Sequence, residues 1–300
     1  MSRIRHAINA GLRRSTGYVL TKADSTPPRQ QPSASPANDV QRLARLANRL
    51  ERSVTRLEQV RGSKASATPT AKPVPALPAD FDDAIKETIE LVRPFTMTSP
   101  DKLHALITAV RYVEDAKVPG AIVECGVWRG GSMHAVARTL DRYRDHDREL
   151  YLFDTYAGMT EPTERDQSLG GSSAADLLEK SERTSWVWAV ASIEDVQQGF
   201  EQVPYPMDRL HFVEGDVEKT IPSEAPDQIA LLRLDTDWYE STRHELEHLY
   251  DRLQPGGVLI IDDYGSWQGS KEATDEWLAA LDRPLLMLRA GRGRVALKPF

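Results

Sequence analysis

The rhythm of apolar and polar positions changes once along the chain, near residue 80. Beyond it, "FDDAIKETIELV" (81–92) and "SPDKLHALITAVRYVEDA" (99–116) carry apolar residues at helical spacing. The second opens with Ser99 as N-cap and Pro100 in the first helical position, where a missing N–H costs nothing. Short apolar runs then alternate with helical stretches: "AIVECG", "LYLFD", "LHFVEGD", "IALLRLD" and "GVLIIDD", followed by "LLMLR" and "RVALKP". Runs that are apolar throughout predict strands buried on both faces, and helices between them predict parallel crossovers. The pattern predicts an α/β fold over 81–300: a doubly wound, Rossmann-like, mostly parallel sheet with an antiparallel edge from the last two runs.

Residues 1–80 follow different rules. "MSRIRHAINAGLRRSTGYVLTK" (1–22) holds five basic residues and no acidic one, with Ile4, Ile8 and Leu12 on one side of a short helix. It suits a membrane surface or an acidic partner, with a solvated tail as the alternative. "STPPRQQPSASPAND" has too much proline and serine to build a core. Between Val40 and Val60, Leu43, Leu46, Leu50, Leu57 and Val60 fall at coiled-coil spacing, with Ser53 as a weak seam position. Self-association through this helix is the expectation, and "GSKASATPTAKPVPALP" reads as a flexible linker into the folded part.

Composition narrows the class. A formal net charge of −7 over 300 residues argues against general nucleic-acid binding. The single cysteine, Cys125, excludes an internal disulfide and suits a reducing cytoplasm. No apolar run nears the roughly 18–20 residues of a membrane span.

Ligands of open α/β sheets bind beyond the carboxyl ends of the strands. Five runs end there in acids: Glu124, Asp154, Asp216, Asp235 with Asp237, and Asp262 with Asp263. One such acid is ordinarily a helix cap. Five converging on one edge repel, and need cations, hydroxyl donors or protonation to persist. The first turn, "VECGVWRGGS", lacks the G-x-G-x-x-G dinucleotide fingerprint. Gly126 allows a tight turn there, while Gly130 and Gly131 leave a ligand room at the next helix's N-terminus. Asp154 sits where a carboxylate binds ribose hydroxyls. Together these point to an adenosyl ligand without a pyrophosphate. The four aspartates 235, 237, 262 and 263 suit Mg²⁺, or Mn²⁺ in its place, since both are hard ions held by oxygen.

One motif competes. His244-Glu245-Leu246-Glu247-His248 spells the H-E-x-x-H of zinc proteases. At 100° per residue, however, Thr242, Leu246, Leu249, Tyr250 and Leu253 form the buried side of that helix. Both histidines are then left in solvent, away from the strand ends, and no third ligand is in view.

The chain resembles the macrocin O-methyltransferase family, which methylates sugar hydroxyls with S-adenosylmethionine. The resemblance runs from about Arg93 to about Trp277. It rests on "RPFTMTSPDKLHALITAVRYV", "GAIVECGVWRGGSM", "FDTYAGMTEPTERD", "RLHFVEGDVEKTIP" and "LLRLDTDWYESTRHELEHLYDRLQPGGVLIIDDYG". More widely it is similar to catechol-type, metal-dependent O-methyltransferases, whose E-x-G-x-x-x-G-x-S turn matches Glu124, Gly126, Gly130 and Ser132. The resemblance implies that Glu124 and Ser132 hold the amino-acid end of the cofactor, with Gly126 and Gly130 giving it room. It implies Asp154 on the ribose hydroxyls, Asp216 near the adenine, and Asp235, Asp262 and Asp263 on Mg²⁺. Asp237 would complete the metal site or accept the hydroxyl proton, because Thr236-Asp237-Trp238 stands where catechol-type enzymes place a lysine. It also implies a glycosylated small molecule or glycan as acceptor, and a homo-oligomer.

The insertion from Thr155 to about Ala191 is long for an α/β connection, as functional lids are. Its Trp186 and Trp188 are read first as core residues and second as a sugar-stacking wall. Three other readings stay open: methylation of a non-sugar hydroxyl, a non-catalytic assembly protein, and a nicotinamide dehydrogenase, which the missing fingerprint disfavours.

Overall fold

The computed structural model describes residues 76–300. The basic segment 1–22 and the coiled-coil reading over 40–60 lie outside the described residues. Seven strands form one sheet in the order β3-β2-β1-β4-β5-β7-β6. They are β1 (Ala121–Cys125), β2 (Leu150–Asp154), β3 (Leu210–Glu214), β4 (Ile229–Leu234), β5 (Leu253–Ile261), β6 (Met287–Ala290) and β7 (Gly293–Leu297). The first five pair in parallel, and β7 joins β5 antiparallel, with β6 beyond it. This is the doubly wound sheet with an antiparallel edge that the pattern predicts.

Eight helices accompany it among the described residues: α1 (Asp83–Val92), α2 (Pro100–Asp115), α3 (Gly131–Tyr143), α4 (Ala174–Glu179), α5 (Ile193–Phe200), α6 (Val217–Thr220), α7 (Tyr239–Leu249) and α8 (Gln268–Ala280). Asp82 caps α1 by accepting the Ile85 N–H at 2.8 Å. Pro100 opens α2 as expected, although Ser99 makes no side-chain cap bond.

Strand side chains alternate between faces with a period of two, and this divides the core. Ile122, Leu231, Val258 and Ile260 pack with Leu106, Val110 and Val113 of α2 and Met133, Val136 and Leu140 of α3. Val123, Cys125, Leu232, Leu234, Leu259 and Ile261 pack instead with Leu246 and Leu249 of α7. Burial on both faces holds for all of β1 and β4, but β3 lies at the sheet's edge and is only half-buried. A central strand and an edge strand can thus share an apolar composition. Helix α7 ends at Leu249; Tyr250 belongs to a short 3₁₀ turn and Leu253 already opens β5.

Candidate active site

The same alternation builds the site. Register sets Glu124 of β1 beside Arg233 of β4. Counting by twos from Leu231 and Ile260 puts Arg233, Asp235 and Asp262 on the face that α2 and α3 cover. Arg233 is 2% exposed, and a guanidinium this deep must be paired. It donates to Glu124 Oε1, to Asp235 Oδ2 at 2.7 Å, to Asp262 Oδ1 at 2.7 Å and to Thr98 Oγ1 at 3.1 Å. Lys102, on the first turn of α2, reaches Asp262 Oδ2.

Of the cations, hydroxyl donors or protons that such acids need, the fold itself supplies two cations. Among the described residues, these two basic side chains supply the ion pairs of five clustered carboxyl groups (Glu124, Asp235, Asp237, Asp262 and Asp263). Burial pushes the carboxyls of Asp235 and Asp263 well above the usual range, their acidic neighbours adding to it. Asp237 is raised to about 7, by burial first and Asp235 second. Glu124 is also raised to about 7, by burial that outweighs Arg233. Asp262 alone is lowered: burial opposes ionisation, but Arg233 and Lys102 overcome it.

Asp235, Asp262 and Asp263 each offer a carboxylate oxygen, and these lie within 4.8 Å of one another. Oδ2 of Asp263 is buried without a hydrogen-bond partner, as is Oε2 of Glu124. Leaving such groups bare costs about 1–3 kcal/mol apiece, more if charged. An all-oxygen set with one unsatisfied atom fits a hard divalent cation, and an unsatisfied glutamate oxygen fits an ammonium group. Asp237 holds a left-handed φ of 65° beside the trio, a strained placement that aspartate tolerates better than most residues.

The four aspartates line a cavity of about 580 Å³ together with Gly126, Ser132, Asp154 and Asp216, while Glu124 and Arg233 lie buried behind its wall. Ser132 stands at the start of α3, its Oγ 3.4 Å from Thr98 Oγ1. The carboxylate of Asp154 is already engaged: Oδ2 accepts the N–H groups of Val127 and Trp128, and Oδ1 that of Tyr156. It ties the first turn to the loop after β2, so the ribose role would have to share these oxygens. Asp216 caps α6 through the Glu218 N–H at 3.0 Å and pairs with Lys219, the ordinary use of a strand-end acid.

The glycines serve the chain's own packing. A Cβ on Gly126 would lie 2.2 Å from the Asp235 carbonyl oxygen, so the first turn presses on the aspartate loop. One on Gly131 would lie 2.6 Å from the Phe95 carbonyl, and one on Gly130 would meet Val196 and Phe200. Gly126 also lines the cavity, whereas Gly130 and Gly131 do not.

Segment 155–191 contributes much of the remaining wall. Trp186 is 75% exposed and lines the cavity, so reading it as core is incorrect; Trp188 is the one that packs, against Ala174, Leu178 and Trp238. Buried Asp166 pins the segment to α7, accepting the Tyr239 N–H at 2.8 Å and both the N–H and Oγ1 of Thr163.

The protease-like histidines do not converge on a cavity. His244 bonds the Ile221 carbonyl, His248 bonds the His244 carbonyl, and both are half-buried rather than in open solvent. Glu245 points inward, accepting from Thr236 Oγ1 at 3.2 Å behind the aspartate loop.

The Macrocin-O-methyltransferase (TylF) family model matches residues 75–287, which include every cavity residue named above. The chain belongs to that family. It is 37% identical over 170 residues to the 8-demethyl-8-(2,3-dimethoxy-alpha-L-rhamnosyl)-tetracenomycin-C 4'-O-methyltransferase of Streptomyces olivaceus, a match covering 56% of this chain and 62% of that protein. It is 32% identical over 187 residues to the demethyldecarbamoylnovobiocin O-methyltransferase of Streptomyces niveus, covering 62% of this chain and 69% of that one. The match thus spans less than two thirds of the first relative's length. The solved structure of the O-methyltransferase NovP is similar with a TM-score of 0.61 at 30% identity, covering 69% of this chain and 83% of NovP.

Proposed function

We propose that this chain moves a methyl group from S-adenosylmethionine to a sugar hydroxyl of a glycosylated small molecule, using Mg²⁺ held by Asp235, Asp262 and Asp263. The observation that carries the reading is the aspartate trio lining the cavity, with an unsatisfied oxygen on Asp263 and another on Glu124 behind the wall. When bound, the divalent ion supplies charge that makes a hydroxyl more acidic, and the sulfonium donor supplies an electrophilic methyl. Glu124 and Ser132 hold the donor's amino-acid end, and Asp216 lies toward its adenine. Asp237 takes the hydroxyl proton as the new C–O bond forms and the old C–S bond breaks, its electron pair staying on sulfur. Trp186, Trp238 and Trp267 line the acceptor side with flat apolar surface, which suits a sugar ring or an aromatic aglycone. Holding donor and hydroxyl in line supplies most of the gain.

The test is methyl transfer followed by mass spectrometry over a panel of glycosides, with Mg²⁺ or with EDTA. A product carrying one added methyl on its sugar, lost in EDTA and in Asp263→Asn, supports the reading. Transfer undiminished by EDTA removes the metal from it. The same reading puts the enzyme in the cytoplasm, with residues 1–22 touching a membrane surface or an acidic partner and 40–60 self-associating. Flotation with anionic liposomes that is unchanged by deleting 1–80 would discard the membrane contact.

A further inference from the structure

Both oxygens of Asp262 are engaged by the protein's own cations. Oδ1 accepts from Arg233 at 2.7 Å, and Oδ2 accepts from Lys102. The two donors differ in kind. Arg233 is locked among Glu124, Asp235, Asp262 and Thr98 and does not line the cavity. Lys102 does line it, and Asp262 is its one ion-pair partner among the described residues. Its side chain is 13% exposed, on a flexible four-carbon stem. Of the two cations on Asp262, Lys102 is thus the one within the cavity, so an ion entering the trio from the cavity meets it at Oδ2.

We propose that Lys102 is a built-in placeholder for the metal. Its ammonium stands beside Asp262 Oδ2 where the ion would bind, compensates the trio while the ion is absent, and turns into the cavity when the ion enters. This inference rests on the metal reading above. It makes Lys102 a positioning residue acting through Asp262, and it sets the metal's affinity: each ion that enters must first break an ion pair buried enough to be weakly screened. The same pair would hold the trio together while the ion is absent, although Asp263 has no cation of its own within bonding distance among the described residues.

The experiment uses the full chain, stripped with EDTA and titrated with Mn²⁺, free ion being followed by electron paramagnetic resonance. Lys102→Met and Lys102→Gln are compared with wild type and with Lys102→Arg. Both neutral variants are expected to bind Mn²⁺ about tenfold tighter, equivalent to about 1.4 kcal/mol. In EDTA they should melt below wild type, the gap closing at saturating Mn²⁺. Lys102→Arg keeps the charge and should stay close to wild type. Lys102→Gln, which retains a hydrogen-bonding group, carries the test if the methionine variant fails to fold. Equal or weaker Mn²⁺ binding by the neutral variants, with wild type binding normally, overturns the placeholder and leaves the metal reading standing. Absence of binding by every variant, wild type included, overturns both.

Discussion

Replacing Arg233 by methionine removes the cation around which the site is assembled. The change keeps most of the apolar stem, so the cost comes from charge. Two near-fully buried carboxyls, Glu124 and Asp262, lose their guanidinium, as does Asp235, which is partly exposed. Breaking one partner out of a buried ionic network costs about 3–5 kcal/mol. The lower end applies here, because Glu124, held near 7, sheds its charge by taking a proton at neutral pH. A loss of about 3 kcal/mol lowers the melting temperature by about 6–12 °C in a domain of this size. Urea unfolding in EDTA at pH 7 measures it. Arg233→Lys should recover only part, since one ammonium cannot span Glu124 and Asp262 together. Glu124→Gln combined with Arg233→Met should cost less than the sum of the two single changes, because the charge left stranded is gone. A loss below about 1 kcal/mol for Arg233→Met, or additive effects in the pair, would refute the picture of a site organised on Arg233.

Four other perturbations follow from the structure. Glu124 and Asp237 hold protons up to about pH 7 in the fold, against ordinary values of 4.5 and 3.8. The native state therefore binds more protons than the unfolded chain, and the contribution of these groups is lost as pH rises through 7. Metal-free protein should be less stable at pH 8.5 than at pH 6.5 by calorimetry, and saturating Mg²⁺ should flatten the slope; a rise in stability over that window contradicts this. His134, which burial lowers to about 4, contributes the opposite slope, but only below about 6.5. Gly126→Ala combines a left-handed φ of 82° with a clash against the Asp235 carbonyl, and should cost more than about 2 kcal/mol and weaken Mn²⁺ binding. Gly171→Ala has a similar φ with nothing within 4 Å of the new Cβ, and should cost only about 1–2 kcal/mol in the same unfolding assay. Asp166→Ala strands the Tyr239 N–H and the Thr163 donors, so limited proteolysis should cut within 155–191 faster than in wild type, while an unchanged rate argues against the pin.

The sheet was legible because seven apolar runs carry its strands, and the antiparallel end because the last two follow one another too closely for a helical crossover. Their depth was not: "LHFVE" and "AIVEC" look alike, and only strand order sets one at the edge and the other at the centre. The aspartates could be found from their place at strand ends, and the structure brings Asp235, Asp262 and Asp263 together. Arg233 is equally visible in the sequence. An arginine inside "IALLRLD", a run read as buried on both faces, has to be paired, and the nearest acids are those of the site itself. Lys102 offered no such signal: it sits on an ordinary first helical turn, 160 residues from its partner in sequence. The glycines of the first turn were legible, but their contact with Phe95 and the Asp235 carbonyl was not, since it depends on long-range packing. Trp186 shows the converse: its size argued for the core, while the wall of the cavity leaves it in solvent.

The most direct measurement is a calorimetric titration of S-adenosylmethionine into the purified protein with Mg²⁺ present, and NAD⁺ as a parallel ligand. The account predicts micromolar binding of the sulfonium donor and none of the dinucleotide, with the donor's affinity reduced in Glu124→Gln. Binding of NAD⁺ instead, or of neither ligand, would contradict the assignment of this cavity to methyl transfer.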